Sequence, residues 1–196
     1  KTLLQMAGAV RAPARLSDAA LVIIDAQNEY VDGLLALPGV ALTLEATARL
    51  LDRARKAGAP VIHVVHQGSP GGAFAPGSRG AAIADAAAPI AGEPVVAKRL
   101  PNAFAATNLL ETLQALGKTD VILAGFMTHM CVESTARASI DLGLKATIVA
   151  SATATRDLPD PLPGTAVPAA EVQRNALAAL SDRFAVIAPT VDAIGN

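Results

Sequence analysis

Six short apolar runs recur along the chain, and most are followed by a stretch with helical spacing. Residues 20–24 are continuously apolar and rich in β-branched side chains, as a parallel strand buried on both faces reads. The same pattern returns at 60–66, at 93–98, at 121–124 before Gly125, at 145–150 and at 184–187. Between them lie helical segments. Leu44, Thr47, Ala48, Leu51 and Ala54 share one face of a helix over 43–57, with Lys56 in its last turn and Gly58 closing it. Thr107 is the expected cap of a helix running to 116, closed by Gly117. Residues 131–142 and 168–180 complete the set, and 81–88 reads as a short helix stopped by Pro89. Residues 31–39 read as loop. Strands alternating with helices predict a three-layer α/β/α sandwich around a six-stranded, mainly parallel sheet of Rossmann-type strand order.

Composition narrows the class. The 196 residues suit a single domain, with 1–18 as a lead-in. The apolar stretch near the N-terminus is short and interrupted by Gln5, so no signal peptide is expected. A net charge of −1 gives no electrostatic case for nucleic acid or an anionic membrane. The single cysteine can form no internal disulfide, which fits a reducing, cytoplasmic setting. The expected partner is a small-molecule substrate, within a homodimer or homotetramer.

In a parallel sheet all strand carboxyl ends share one edge, where ligands bind. Three reactive side chains fall at such ends: Asp25 after the first strand, Lys98 at the end of the third, and Cys131 just beyond the fourth. Cys131 is expected where a strand hands over to a helix, and unpaired N–H groups and the helix dipole there favour a thiolate. A thiolate attacks a carbonyl carbon. A carboxylate carries the proton from thiol to leaving amine. An ammonium between them offsets negative charge. Together they suit acyl transfer from an amide to water.

Further candidates surround these three. His63 and His66 are three apart on one strand and point to opposite faces, so they cannot share a metal. His63 reads as a core histidine; His66, at the strand end, reads as lining a pocket. Residues 67–80 form a glycine- and proline-rich loop of the kind that serves as a lid. The loop lacks a phosphate-binding pattern. Gln27, Tyr30, His66 and Phe104 are the nominated pocket residues, with His129 beside them; Tyr30 and Phe104 are among only four phenylalanines and one tyrosine.

Asp25-Ala26-Gln27-Asn28-Glu29-Tyr30, Lys98 and the Gly125–Thr135 segment occur in the order and on the elements of the isochorismatase-like cysteine hydrolases, and the chain resembles that family over about residues 19–190. The resemblance implies Asp25 as general base and acid, Lys98 as electrostatic partner and Cys131 as nucleophile. It also implies a cis peptide at Phe126–Met127 and an oxyanion hole from the Met127 and Cys131 N–H groups. Isochorismatases proper lack the cysteine, so Cys131 points to C–N hydrolysis of a small amide, ureide or carbamoyl compound. Nicotinamidases of the family carry an Asp-x-His metal site where this chain has His66-Gln67-Gly68, so neither metal nor cofactor is expected. His129 stands where relatives often have an acidic residue. The competing reading is a non-catalytic binding protein of the same fold, and a third is a redox-sensing thiol.

Overall fold

A computed structural model describes residues 1–162 and 164–196. Six strands, β1 (Ala19–Ile24), β2 (Val61–His66), β3 (Val95–Lys98), β4 (Asp120–Phe126), β5 (Lys145–Ala154) and β6 (Ala185–Ala188), form one sheet in the order β3-β2-β1-β4-β5-β6. Every neighbouring pair is parallel. The expected architecture holds, with no antiparallel strand in the sheet. Alternation along β1 explains the layering. Leu21 and Ile23 face one core with α3 (Val40–Lys56), while Ala20, Val22 and Ile24 face the other. That second core takes Leu109 and Leu113 of α4 (Leu109–Ala115), Ala136 of α5 (Glu133–Asp141) and Leu180 of α6 (Ala169–Arg183).

Several boundaries differ from expectation. Residues 81–88 form only a single 3₁₀ turn, Asp85–Ala87, because Ile83 instead bridges Gln27. Within the expected loop 31–39, a short helix α2 (Glu29–Asp32) closes first. The helix after Thr107 starts one residue late, with Asn108 at the cap position; the Thr107 hydroxyl donates to the Ala103 carbonyl at 2.6 Å and accepts from the Leu109 N–H at 3.3 Å. β5 runs on to Ala154, rejoining β4 after a register shift between Leu123 and Gly125. The expected helix over 131–142 divides into a π-turn, Thr128–Val132, followed by α5.

Register carries the reactive residues to one place. Ile24 pairs with Gly125 on β4 and with Val64 on β2, while His66 pairs with Lys98 on β3. Gly125 is required at this junction. Its φ is +114°, and a Cβ would stand 1.9 Å from the Ile24 carbonyl oxygen. Only a glycine lets β4 lie this close to β1 as the chain turns toward Cys131. Among the described residues, no helix is long and apolar enough to cross a membrane.

Candidate active site

Asp25 is the first residue past β1 and adopts a left-handed φ of +52°, a conformation that carries strain in a non-glycine residue. Its N–H is held by the Val64 carbonyl at 2.8 Å. The carboxylate is thereby turned back over the sheet edge. Lys98 starts two strands away, and strands lie about 4.8 Å apart, so a long stem is needed to pass β2. Its ammonium arrives 2.6 Å from Asp25 Oδ2, 3.2 Å from Cys131 Sγ and 3.4 Å from His66 Nδ1. A carboxylate, a sulfur and a ring nitrogen thus surround one ammonium. Asp25, Lys98 and Cys131 are 0, 2 and 5% exposed, so all three are buried at the sheet edge.

The Lys98–Asp25 contact is close, but its direction is that of an ion pair rather than an aligned hydrogen bond. Both Asp25 oxygens consequently lack an aligned donor. Burial raises the Asp25 carboxyl above its ordinary value, against the pull of Lys98. Burial also pushes the Cys131 thiol up to about 12, reinforced by the Asp25 charge and opposed by Lys98. This reverses the direction expected from a cysteine at a helix start. Cys131 lies inside the π-turn, ahead of α5, and loss of solvent outweighs the favourable dipole. The resting group is a neutral thiol beside an Asp25–Lys98 pair.

Polar atoms left without partners gather at this edge. Of the buried side-chain nitrogens and oxygens lacking a hydrogen bond among the described residues, Asp25 Oδ1 and Oδ2 and Thr128 Oγ1 stand just past the ends of β1 and β4. Buried polar groups are normally satisfied, and clustered exceptions mark a place for a ligand. The Phe126–Met127 bond is cis, and the Met127 N–H donates to no other described residue.

The other nominated residues divide. His66 belongs to the site through Lys98; burial first and then that ammonium lower its basicity, keeping its ring neutral. Tyr30 borders the site, packed edge-on against Phe126 with ring centres 5.5 Å apart. Burial and the nearby Asp25 charge raise its phenol and keep it protonated. Gln27 is not available to a substrate. Its amide donates to the His66 and Ala81 carbonyls and accepts the His66 N–H, so it holds β2 and the 81–84 segment in place. The His129 ring engages the Thr155 hydroxyl and lines a separate groove with Glu133, Leu158 and Val167. Phe104 is partly buried in the layer containing Cys131, its N–H held by the Asn102 side chain at 2.9 Å, and reaches none of the three central side chains. The sequence reading missed Phe74 and Thr128. A lone phenylalanine inside a glycine-rich loop was the available sign for the first; nothing in the sequence marked the second.

The carboxyl edge of a parallel sheet thus brings together a buried acid, a lysine and a cysteine from three separate strand ends. The Isochorismatase domain model matches residues 19–192, and the chain belongs to that family. The crystal structure of an isochorismatase from Pseudomonas putida KT2440 is 43% identical, covering 99% of this chain and 98% of that one, with a TM-score of 0.94. A secreted isochorismatase effector of Verticillium dahliae is 38% identical over 189 residues, 95% of this chain and 96% of the relative. A streptothricin hydrolase of Streptomyces noursei is 38% identical over 169 residues, 86% of this chain but 61% of the relative. A maleamate amidohydrolase of Pseudomonas putida is 35% identical over 147 residues, 66% of this chain and 69% of the relative.

Proposed function

We propose that this chain is a cysteine-dependent hydrolase that cleaves the C–N bond of a small amide, ureide or carbamoyl compound. The observation that carries the reading is a single buried ammonium touching both a carboxylate and the only thiol, at 2.6 and 3.2 Å. A structural cysteine has no need of such a neighbour. The amidohydrolase among the relatives supports the reaction type.

The chemistry follows from the resting protonation. The Cys131 S–H proton passes to the Asp25 carboxylate as sulfur attacks the carbonyl carbon, and Lys98 offsets the charge during transfer. The Met127 and Cys131 N–H groups receive the oxyanion. Collapse of the tetrahedral intermediate breaks the C–N bond, and the leaving nitrogen takes the proton from Asp25. A thioester remains. Asp25 then takes a proton from water, the hydroxyl attacks the thioester, and the acid leaves as the proton returns to sulfur. The high thiol value suits this scheme. Proton transfer occurs with attack, so no standing thiolate is exposed to oxidation.

A panel of small amides and ureides, assayed for ammonia or amine release, tests the reading. Wild type turns over at least one compound and Cys131→Ala none, with a thioester adduct trapped by acid quench and seen by mass spectrometry. Identical background for both proteins on every compound, with no adduct, would overturn it.

A further inference from the structure

Phe74 sits in the middle of the 67–80 loop yet is only 5% exposed. Its φ is +56°, a left-handed conformation that is strained for a bulky side chain. Two hydrogen bonds fix that backbone. The Phe74 N–H donates to Glu29 Oε2 at 3.3 Å, and its carbonyl accepts the Gly68 N–H at 3.1 Å. Gly68 permits the tight return, since a Cβ there would lie 1.9 Å from the Ala73 carbonyl oxygen. Glu29 is itself buried and braced, with Oε1 accepting the Leu34 N–H at 2.7 Å. The far end of the loop is pinned as well: Glu29 N–H donates to the Gly80 carbonyl, Asn28 N–H to Ala82 and Ala84 N–H to Ala26. The loop is therefore a fixed wall around Phe74 rather than a free lid.

The ring is placed where it matters for the crevice. It meets Tyr30 and His66 edge-on, with both centroid distances 5.1 Å. His66 in turn stands 3.4 Å from the Lys98 ammonium. Phe74 thus spans from the β1 side to the β2 side, one residue removed from the reactive cation. The left-handed backbone turns the ring inward, where it packs with Tyr30 in the core layer that also holds Phe126.

We propose that Phe74 is the specificity-determining residue of this site, a rigid aromatic stop that admits compact acyl groups to Cys131 and excludes branched or aromatic ones. The proposal rests on the hydrolase reading for its substrate class, but its geometry concerns access to sulfur and is testable without turnover. Cys131 is the only cysteine, so alkylation reports this position alone.

The test compares iodoacetamide with its bulkier N-phenyl analogue, iodoacetanilide, each rate normalised to glutathione. In wild type the bulky reagent is slower by roughly 10- to 200-fold, the range over which pocket size discriminates. Phe74→Gly keeps the positive φ without strain and removes the ring, and the two normalised rates converge. Phe74→Leu gives an intermediate ratio, and thermal melts confirm that each variant is folded. A wild type that reacts equally with both reagents, or a folded Phe74→Gly with an unchanged ratio, overturns the proposal. Amides of increasing acyl size are then assayed in parallel. Selective alkylation without amide turnover removes the hydrolase reading and leaves the gate standing; turnover without size selection does the reverse.

Discussion

Two clusters of ionisable groups lie near opposite ends of strands β2 and β3, each joining a histidine, an acid and a base but with opposite outcomes. At the amino end, His63 Nε2 lies 2.9 Å from Glu93 Oε2, and Arg55 grips both Glu93 oxygens at 2.8 and 2.9 Å. The Ile90 N–H adds a fourth bond at 3.0 Å. At the carboxyl end, three residues along each strand or a little more, His66 and Lys98 meet Asp25 and Cys131. Burial opposes ionisation at both ends. At Glu93 the Arg55, Ile90 and His63 hydrogen bonds outweigh it and bring the carboxyl down to about 2. At Asp25 burial prevails over Lys98, and the carboxyl goes up. The planar guanidinium fork satisfies a carboxylate bidentately, whereas one ammonium shared among three acceptors does not. A carboxylate satisfied by four hydrogen bonds is structural, even though His63 Nδ1 beside it has no partner. An unsaturated one retains a proton acceptor that can act.

The sharpest way to break the contrast is to delete the reactive end. Cys131→Ala and Lys98→Met should each lower turnover by at least ~10³-fold, measured as amine release per folded molecule. Turnover persisting in either would place the chemistry elsewhere. Asp25→Asn should lower turnover by ~10²–10⁴-fold while making the thiol more acidic. Burial and then the carboxylate charge push Cys131 up while Lys98 pulls it down, so removing the carboxylate charge lowers the thiol although burial still opposes its ionisation. The iodoacetamide rate profile should shift to lower pH than in wild type; an unchanged or alkaline shift would contradict the assigned charges.

Smaller effects test the structural end. Glu93→Ala strands the His63 and Arg55 donors and should cost about 1–3 kcal/mol of stability, read from denaturant unfolding, with turnover per folded molecule unchanged. Its pH signature has a definite sign. The folded-state value lies below the ordinary 4.5, so the Glu93 contribution is complete above about pH 4.5 and is lost as pH falls toward about 2. Glu93→Gln should therefore show a flatter fall in stability across that window than wild type. An equally steep fall would assign acid sensitivity to other carboxyls.

Much of this was legible along the chain. All six strands lie within two residues of their expected starts; β1, buried throughout, is apolar without interruption, while the edge strand β3 alternates exposed and buried residues. Asp25, Lys98 and Cys131 were legible because each stands at or just past the end of an apolar run. His63 and His66 separated as expected, one into the Glu93 network and one to the reactive edge. The π-turn, the exhausted amide of Gln27 and the inward ring of Phe74 were not legible. Each depends on a segment distant in sequence: β5 and β1 for the turn, residues 66 and 81 for the amide, Glu29 for the ring.

The sequence by itself determined a parallel α/β fold, its strand ends and which three side chains stand at those ends, since apolar periodicity and chain order are local properties. Only the tertiary structure decided that the Asp25 carboxyl and the Cys131 thiol are both pushed up. Burial and register set the local dielectric and the distances between charges, and neither quantity exists until β3, β1 and β4 are brought to one edge.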